Sequence, residues 1–393
     1  MSAKKFESHS TGSNFLETSQ SIFKQINFPL AFATVALLVL GGVTMYSASL
    51  TISDASFIKQ LFGMVLGLIA AALIMNVDVK KASSFTHALL IIDIILLISP
   101  LLPVIGVYSK GINGWVQIPG IGLRFQPAEL AKLVTILLMA SLVSQYNGKI
   151  TSLKDYIKLC AILGVPFILI LLQPDLGTGL ILLVVGAVII IMGGPKRKWV
   201  LITIALVVGL VAIVLITDPI IDATLGDSKS LLKEYQMNRL LVFVDPTLDP
   251  SGSGYNLQQS KIAVGSGGLF GKGIGQASQA GGGFLPEAHT DFVFALFAEE
   301  FGFVGVIVLL ALFFVLIITT LYIGFVSRSM FGALTCVGIT VMWTFQLLQN
   351  MGMCMGIMPI TGIPLPFISY GSSSMLAQLM AVGIVGSIYK HRS

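Results

Sequence analysis

The chain has 393 residues, 55% of them apolar and only 10% charged, against the roughly 25% charged residues of an ordinary water-soluble domain. That excludes a soluble fold. The formal net charge of +5 sits in small clusters between apolar runs, where it sets membrane topology rather than meeting nucleic acid. Each crossing of a bilayer takes about 20 mostly apolar residues, and the chain holds about ten such runs, so the expected fold is an all-α polytopic membrane protein.

In chain order, residues 1–27 are polar and rich in Ser and Thr, with no apolar core, and are expected to be a cytoplasmic disordered tail rather than a cleavable signal peptide. Residues 28–393 are expected to form a single integral membrane domain. Its spans fall at 28–50, 57–77, 87–105, 126–145, 157–172, 175–193 and 199–217, then, after a long loop at about 218–291, at 292–326, 332–357 and 371–389. Lys80 and Lys81, Lys196 to Lys198, and Lys390 with Arg392 lie between or beyond these spans. The positive-inside rule then puts both termini in the cytoplasm and the loop between helices 7 and 8 outside.

Cys160, Cys336 and Cys354 lie in apolar runs without pairing or metal-ligand spacing and read as packing thiols. The sequence offers no Ser/His/Asp order, no H-E-x-x-H and no CxxC, so hydrolase and structural-metal readings start without support. No repeat of fixed period is visible, which disfavours an inverted-repeat transporter.

Among the few ionisable residues within the apolar runs are Asp93, stranded in "LIIDIILL", and the pair Glu129 and Lys132 in "RFQPAELAK". Spacing of i, i+3 after Pro127 lets that pair meet on one helix face, as a structural ion pair or as part of a cavity. Trp115 and Arg124 share the preceding loop, where a Trp is either an interface anchor or a surface for a sugar ring or lipid. Asp175 follows Pro174 and is placed to cap the next helix. The run "AVGSGGLFGKGIGQASQAGGG", 263–283, shows neither strand nor helix period. It reads as a flexible linker or as a loop whose bare backbone approaches a bulky polar ligand. No strand precedes the glycines and no Gly-Lys-Ser/Thr follows, so it is neither a Walker nor a Rossmann loop.

"FLPEAHTDFVFALFAEEFG", 284–302, then gathers Glu287, His289, Asp291, Glu299 and Glu300 where the long loop enters the membrane. A continuous helix from Asp291 to Val326 would run about 54 Å against a hydrocarbon core of ~30 Å, so its first third is expected to project outward or to line a cavity. Asp291 is the best candidate base, because desolvation at the mouth of a cavity makes a carboxylate a better proton acceptor. Glu287 and His289 are placed to tune it or bind substrate. The alternative is an acidic residue favoured by a helix N-terminus. Further on, "GIMPITGIPLPFISYGSSS" implies broken backbone at membrane depth, tolerated only where it is buried or lines a watery cavity.

Five stretches together, "GWVQIPGIGLRFQPAELAK", "QPDLGTGL", "NRLLVFVDPTLDPSGSGYNLQQSKIAVGSGGLFGKGIGQ", "FLPEAHTDFVFALFAEEFG" and "MGIMPITGIPLPFISYG", resemble the SEDS family (shape, elongation, division and sporulation), and within it the RodA-type elongation branch. The resemblance implies a peptidoglycan glycosyltransferase that polymerises lipid II on the outer face of the bacterial cytoplasmic membrane. The family's essential acid falls on Asp291, its acidic and basic pair on Glu129 and Lys132, and its loop tryptophan on Trp115. In such a reaction a sugar hydroxyl displaces a lipid pyrophosphate with inversion, Asp291 taking the proton. Lys132, Arg124, Lys261 and Lys272 are then candidate pyrophosphate contacts. A divalent cation, magnesium or manganese, could share that work on substrate phosphates without a dedicated metal box. Implied partners are a class B penicillin-binding protein with transpeptidase activity, the elongation machinery and membrane lipid. Ser372 stands where the family commonly has the second Gly of Ser-Tyr-Gly-Gly-Ser, which touches any close backbone approach there. The competing readings are a transporter or flippase of the lipid-linked precursor, and a scaffold without catalysis.

Overall fold

The computed structural model describes residues 26–109, 112–117, 124–225 and 234–392. The expected N-terminal tail lies almost wholly outside the described residues. Helix α1, Phe28–Thr51, starts where the Asn27 side chain accepts the Leu30 amide and Pro29 occupies the first turn. It is followed by α2, Phe57–Asn76, capped by Ser56, a 3-10 segment at Val79–Phe85 and α3, Thr86–Ile98. Helix α3 stops short of the expected 105 because Pro100 and Pro103 cannot extend it; a 3-10 turn at Ser99–Leu101 takes over.

Between α3 and α4 the all-α expectation gains an exception, a small antiparallel sheet in the order β1, Gly106–Ser109, β2, Ile112–Gln117, and β3, Arg124–Phe125. Val107 pairs with Trp115, and Gln117 with Arg124. Helix α4, Pro127–Ser144, begins at Pro127. After it come α5, Leu153–Leu171, α6, Leu176–Met192, capped by Asp175, and α7, Arg197–Leu225.

The segment expected as a long loop at about 218–291 carries the end of α7 and two further helices, α8, Glu234–Val244, and α9, Ser253–Ser266, so the glycine-rich run begins inside a helix. The chain closes with α10, Val293–Val326, α11, Met330–Met355, which ends on the left-handed Gly356, and α12, Ser372–Lys390.

Seven of the described helical segments are long and apolar enough to cross a membrane. The three other expected spans fall on α5, whose first turns carry Lys154, Asp155 and Lys158, on α6, which is 17 residues long, and on α7. Burial sorts the spans into layers. The most apolar windows of α4, α11 and α12 are 72%, 67% and 67% buried, against 22% for α2 and for the span containing α3. Helix α4 is therefore interior, packed on α3, α6, α11 and α12, while α2 and α3 turn aliphatic side chains outward as a lipid-facing surface must. The closest helix pair, α2 with α12, rests on small residues: a Cβ on Gly63 would sit 2.9 Å from the Ser372 Cα, and one on Gly67 2.5 Å from a Leu379 methyl. Such Gly-x-x-x-Gly faces let backbones approach in the absence of a hydrophobic driving force between helices.

Candidate active site

The acidic stretch at the head of α10 divides into two groups with different environments. Glu299 and Glu300 are buried, 0% and 2% exposed, and face the glycine-rich run. Helix α10 does not run straight: Gly302 takes φ 64°, ψ −166°, and breaks it. A break strands backbone groups that a helix would pair, and the glycine-rich run supplies their partners. Phe303 and Val304 donate to the carbonyls of Gly268 and Leu269 at 2.9 and 3.0 Å, and Lys272 and Gly273 donate to the carbonyls of Glu299 and Glu300 at 2.9 and 3.0 Å. A side chain at Gly302 would collide with the backbone of Gly271 and Leu269. Within the first third of that long run, residues 293–300 are all buried in protein, because the break shortens the straight part and the loop packs against it. The glycines give close approach to this chain's own backbone.

The carboxylates of this group close the same contact. Glu299 Oε1 accepts from Lys272 Nζ at 2.6 Å, from the Ser278 and Gln279 amides at 2.9 and 3.0 Å and from the Ser278 hydroxyl at 3.1 Å, and Oε2 from the Ala280 amide at 3.3 Å. Glu300 accepts from the Gly275 amide at 3.1 Å and from the Ser47 hydroxyl of α1. Lys272 is thus ion-paired, with Ser278 Oγ a further acceptor at 2.7 Å.

The second group, 287–291, forms a tight turn. Glu287 has φ 55°, its carboxylate accepts from the Thr290 hydroxyl at 2.7 Å, and its carbonyl accepts from the amides of Thr290 and Phe292. Three consecutive carbonyls of this turn are pinned from outside: His289 by the Tyr370 amide at 2.9 Å, Thr290 by Ser369 Oγ at 2.8 Å and Asp291 by Asn350 Nδ2 at 2.8 Å. The donors themselves are fixed. Asn350, fully buried on α11, also donates to the Ile363 carbonyl at 2.8 Å, and Ser369 Oγ accepts from the Leu365 amide at 2.8 Å. Gln60 of α2 straddles Tyr370, donating to the Ser369 carbonyl and accepting from the Gly371 amide, both at 3.1 Å. The proline-rich 356–371 segment is broken backbone, buried at 360, 363 and 365–369, and it is the scaffold of the turn. His289 is buried and its ring lies 5.4 Å from that of Tyr370.

Asp291 is half-exposed at the mouth of α10. Its Oδ2 and the Nη1 of Arg239 lie 3.1 and 3.5 Å from the point a Cβ on Gly362 would occupy, so carboxylate and guanidinium share one small space, open because residue 362 is glycine with φ 71°. The same segment meets the other polar group. On α4, Lys132 Nζ and Glu129 Oε1 pair at 2.9 Å with side chains 1% and 4% exposed, and Asp175 lies within electrostatic reach of both. Next to Asp175, Gly177 packs on the Thr361 carbonyl and on Ile363. Residues 361–363 therefore have Glu129, Lys132 and Asp175 on the α6 side and Asp291 with Arg239 on the other.

Of the remaining expected residues, half-buried Trp115 and exposed Arg124 stand on β2 and β3, in a sheet that packs on α4, and are not among the residues that meet at Gly362. Lys261, exposed on α9, lies across Gly356 at the end of α11. An open pocket of about 320 Å³ lies between the α1–α2 turn, Thr51 to Asp54, and residues 280–289, with Glu287 and His289 in its wall. Asp93 donates nothing to the site; it accepts from Thr135 of α4 at 2.8 Å. Among the described residues no three His, Cys, Asp or Glu side chains converge as a metal-ligand set. Arg239, Asn350, Ser369 and Gln60 were not singled out from sequence. Arg239, within the quoted "NRLLVF", is the one a search for a cation near the acid could have found.

Comparison with known proteins identifies the family. The FtsW/RodA/SpoVE family model, described as cell cycle protein, matches residues 28–393. The chain is 34% identical over 359 residues to the peptidoglycan glycosyltransferase MrdB of Escherichia coli, covering 91% of this chain and 92% of that one. It is 34% identical over 372 residues to stage V sporulation protein E of Bacillus subtilis, covering 92% and 96%. Among solved structures it superposes with TM-score 0.73 and 30% identity on a chain of a peptidoglycan synthase complex that coordinates polymerization and crosslinking, covering 93% of this chain and 98% of that chain. It matches the rod shape determining protein RodA of Thermus thermophilus with TM-score 0.65 and 27% identity, covering 93% and 97%. The chain is a membrane protein that belongs to the FtsW/RodA/SpoVE family, the SEDS proteins.

Proposed function

We propose that the chain is a peptidoglycan glycosyltransferase that polymerises lipid II into glycan strands during cell elongation, with Asp291 as general base. The observation that carries the activity is the likeness, over 91% of the chain, to a peptidoglycan glycosyltransferase. The assignment of Asp291 is supported by its setting, a carboxylate on a turn whose backbone is pinned by Tyr370, Ser369 and Asn350. A fixed carboxylate is what proton abstraction from a sugar hydroxyl requires.

In the proposed step the 4-hydroxyl oxygen of the acceptor sugar attacks the anomeric carbon of the donor, and the bond from that carbon to the pyrophosphate oxygen breaks. The hydroxyl proton passes to Asp291. One displacement inverts the anomeric configuration. Pyrophosphate leaves with its charge and calls for cations more than for an acid; Arg239, beside Asp291 at Gly362, and Lys132 are the cations we assign to it, with Arg124 and Lys261 as outlying contacts. Trp115, Glu129, Glu287 and His289 are assigned to binding the substrate or shaping its site. A bound magnesium or manganese ion would add positive charge at the substrate phosphates. The site faces the extracytoplasmic side, and the partner that joins the strands is a class B penicillin-binding protein.

The test is to supply purified chain and that transpeptidase with labelled lipid II, and to measure glycan length and released undecaprenyl pyrophosphate. Polymer with inverted linkages and one pyrophosphate per linkage is expected. Labelled lipid crossing a vesicle bilayer with no polymer formed would instead favour the flippase reading.

A further inference from the structure

We propose that Glu299 is a positioning residue for the Asp291 site, acting through the glycine-rich run rather than on substrate. The inference rests on the polymerase reading for its kinetic consequences but not for its geometry. The Glu299 carboxylate collects the amides of Ser278, Gln279 and Ala280, the Ser278 hydroxyl and Lys272. Gln279 passes the restraint on: its carbonyl accepts the amides of Phe284 and Leu285 at 3.1 and 3.2 Å. Leu285 is buried and leads directly into the 287–291 turn. That turn opens α10, and the buried first piece of α10 returns to Glu299. Residues 279–299 are therefore a ring closed by hydrogen bonds, with Asp291 on it, and the segment between 280 and 291 has no helix or strand of its own to hold it.

The chemistry of the anchor argues for geometry rather than packing. An apolar side chain could fill the same volume without the cost of burying a charge. A carboxylate with two oxygens and several lone pairs can instead hold three successive amides and a lysine in one arrangement. It also separates two roles for Lys272. As a contact to pyrophosphate it would affect substrate binding; as the counter-ion of Glu299 it would affect the catalytic step.

The experiment compares wild type, Glu299→Gln, Lys272→Gln, Ser278→Ala and Asp291→Asn, each with the transpeptidase partner, by amide hydrogen exchange and by lipid II polymerisation kinetics. For Glu299→Gln, exchange is expected to rise about tenfold or more at 278–280 and also at 287–291, with the spanning helices unchanged. Its kcat should fall about tenfold or more, by a larger factor than any rise in KM from the loosened Glu287 and His289, since a displacement of about an ångström at reacting groups costs that much or more. Lys272→Gln, altered at the partly exposed end of the network, should show the same pattern more weakly, and with Ser278→Ala it serves if Glu299→Gln does not fold. Freed amides at 278–280 with an unchanged 287–291 turn would overturn the proposal. So would a raised KM with intact kcat for Lys272→Gln, which would put that lysine on the substrate. If wild type and Asp291→Asn alike make no glycan, the polymerase reading fails while the exchange data still decide the anchor.

Discussion

The carbonyls of His289 and Thr290 are held by the neighbouring residues Tyr370 and Ser369, and that of Asp291 by Asn350 of α11, which makes neutral amides and hydroxyls as consequential as the acid they support. Asn350→Ala removes two 2.8 Å bonds at once and leaves the buried Ile363 carbonyl and the part-buried Asp291 carbonyl without that donor. We expect a loss of stability of about 2–4 kcal/mol, taking roughly 1–2 per stranded group, and a fall in kcat, read by thermal unfolding in detergent and by polymerisation rate. Gly362→Ala puts a methyl about 3.1 Å from Asp291 Oδ2 on a residue with φ 71°. The backbone cost is about 1–2 kcal/mol, but activity should fall more than stability, because the methyl displaces the carboxylate; equal losses in a melting and a rate measurement would contradict this. Asp291, Glu129 and Lys132 were legible because charge within apolar sequence is rare and expensive. Gln60 and Asn350 were not: an amide inside an apolar helix has no local signature, and Gln60 finds its partner 309 residues away.

Helix α10 shows how length alone carries information and where it stops. Its apolar run was too long for one crossing, and that excess was readable. The remedy, a break at Gly302 with the glycine-rich run completing its hydrogen bonds, was not, since it depends on contacts between segments some thirty residues apart. Gly302→Ala should therefore cost about 1–3 kcal/mol for the left-handed backbone and more for the collision with Gly271, whose backbone cannot move aside without releasing Lys272 and Gly273. A drop in melting temperature, with rapid amide exchange at 268–273, is the expected result. The sheet from Gly106 to Phe125 escaped notice for a different reason. Its strands, Gly-Val-Tyr-Ser, Ile-Asn-Gly-Trp-Val-Gln and Arg-Phe, do not alternate apolar with polar residues, which is the pattern by which a strand is recognised, and the turn prolines that ended α3 early lay inside what hydropathy read as a span.

For the whole molecule, apolar runs and length specified a bundle of spanning helices, family motifs specified its kind, and the basic clusters gave an expected orientation in the bilayer. We place the 280–291 segment outside and the turn between α4 and α5 inside, as the basic clusters require. Phe284→Cys, at a site 52% exposed, should be labelled in intact cells by a membrane-impermeant maleimide, and Lys149→Cys, also exposed, only after lysis; the reverse pattern would invert the topology. The proposed activity turns on one carboxylate, Asp291. The most direct measurement is the rate of glycan formation from lipid II by purified wild type and Asp291→Asn, matched for melting temperature and for binding of the transpeptidase. A fall of about 10²–10⁴-fold, the usual contribution of a general base, is expected. Polymer formed by Asp291→Asn at the wild-type rate would show that the proton goes elsewhere.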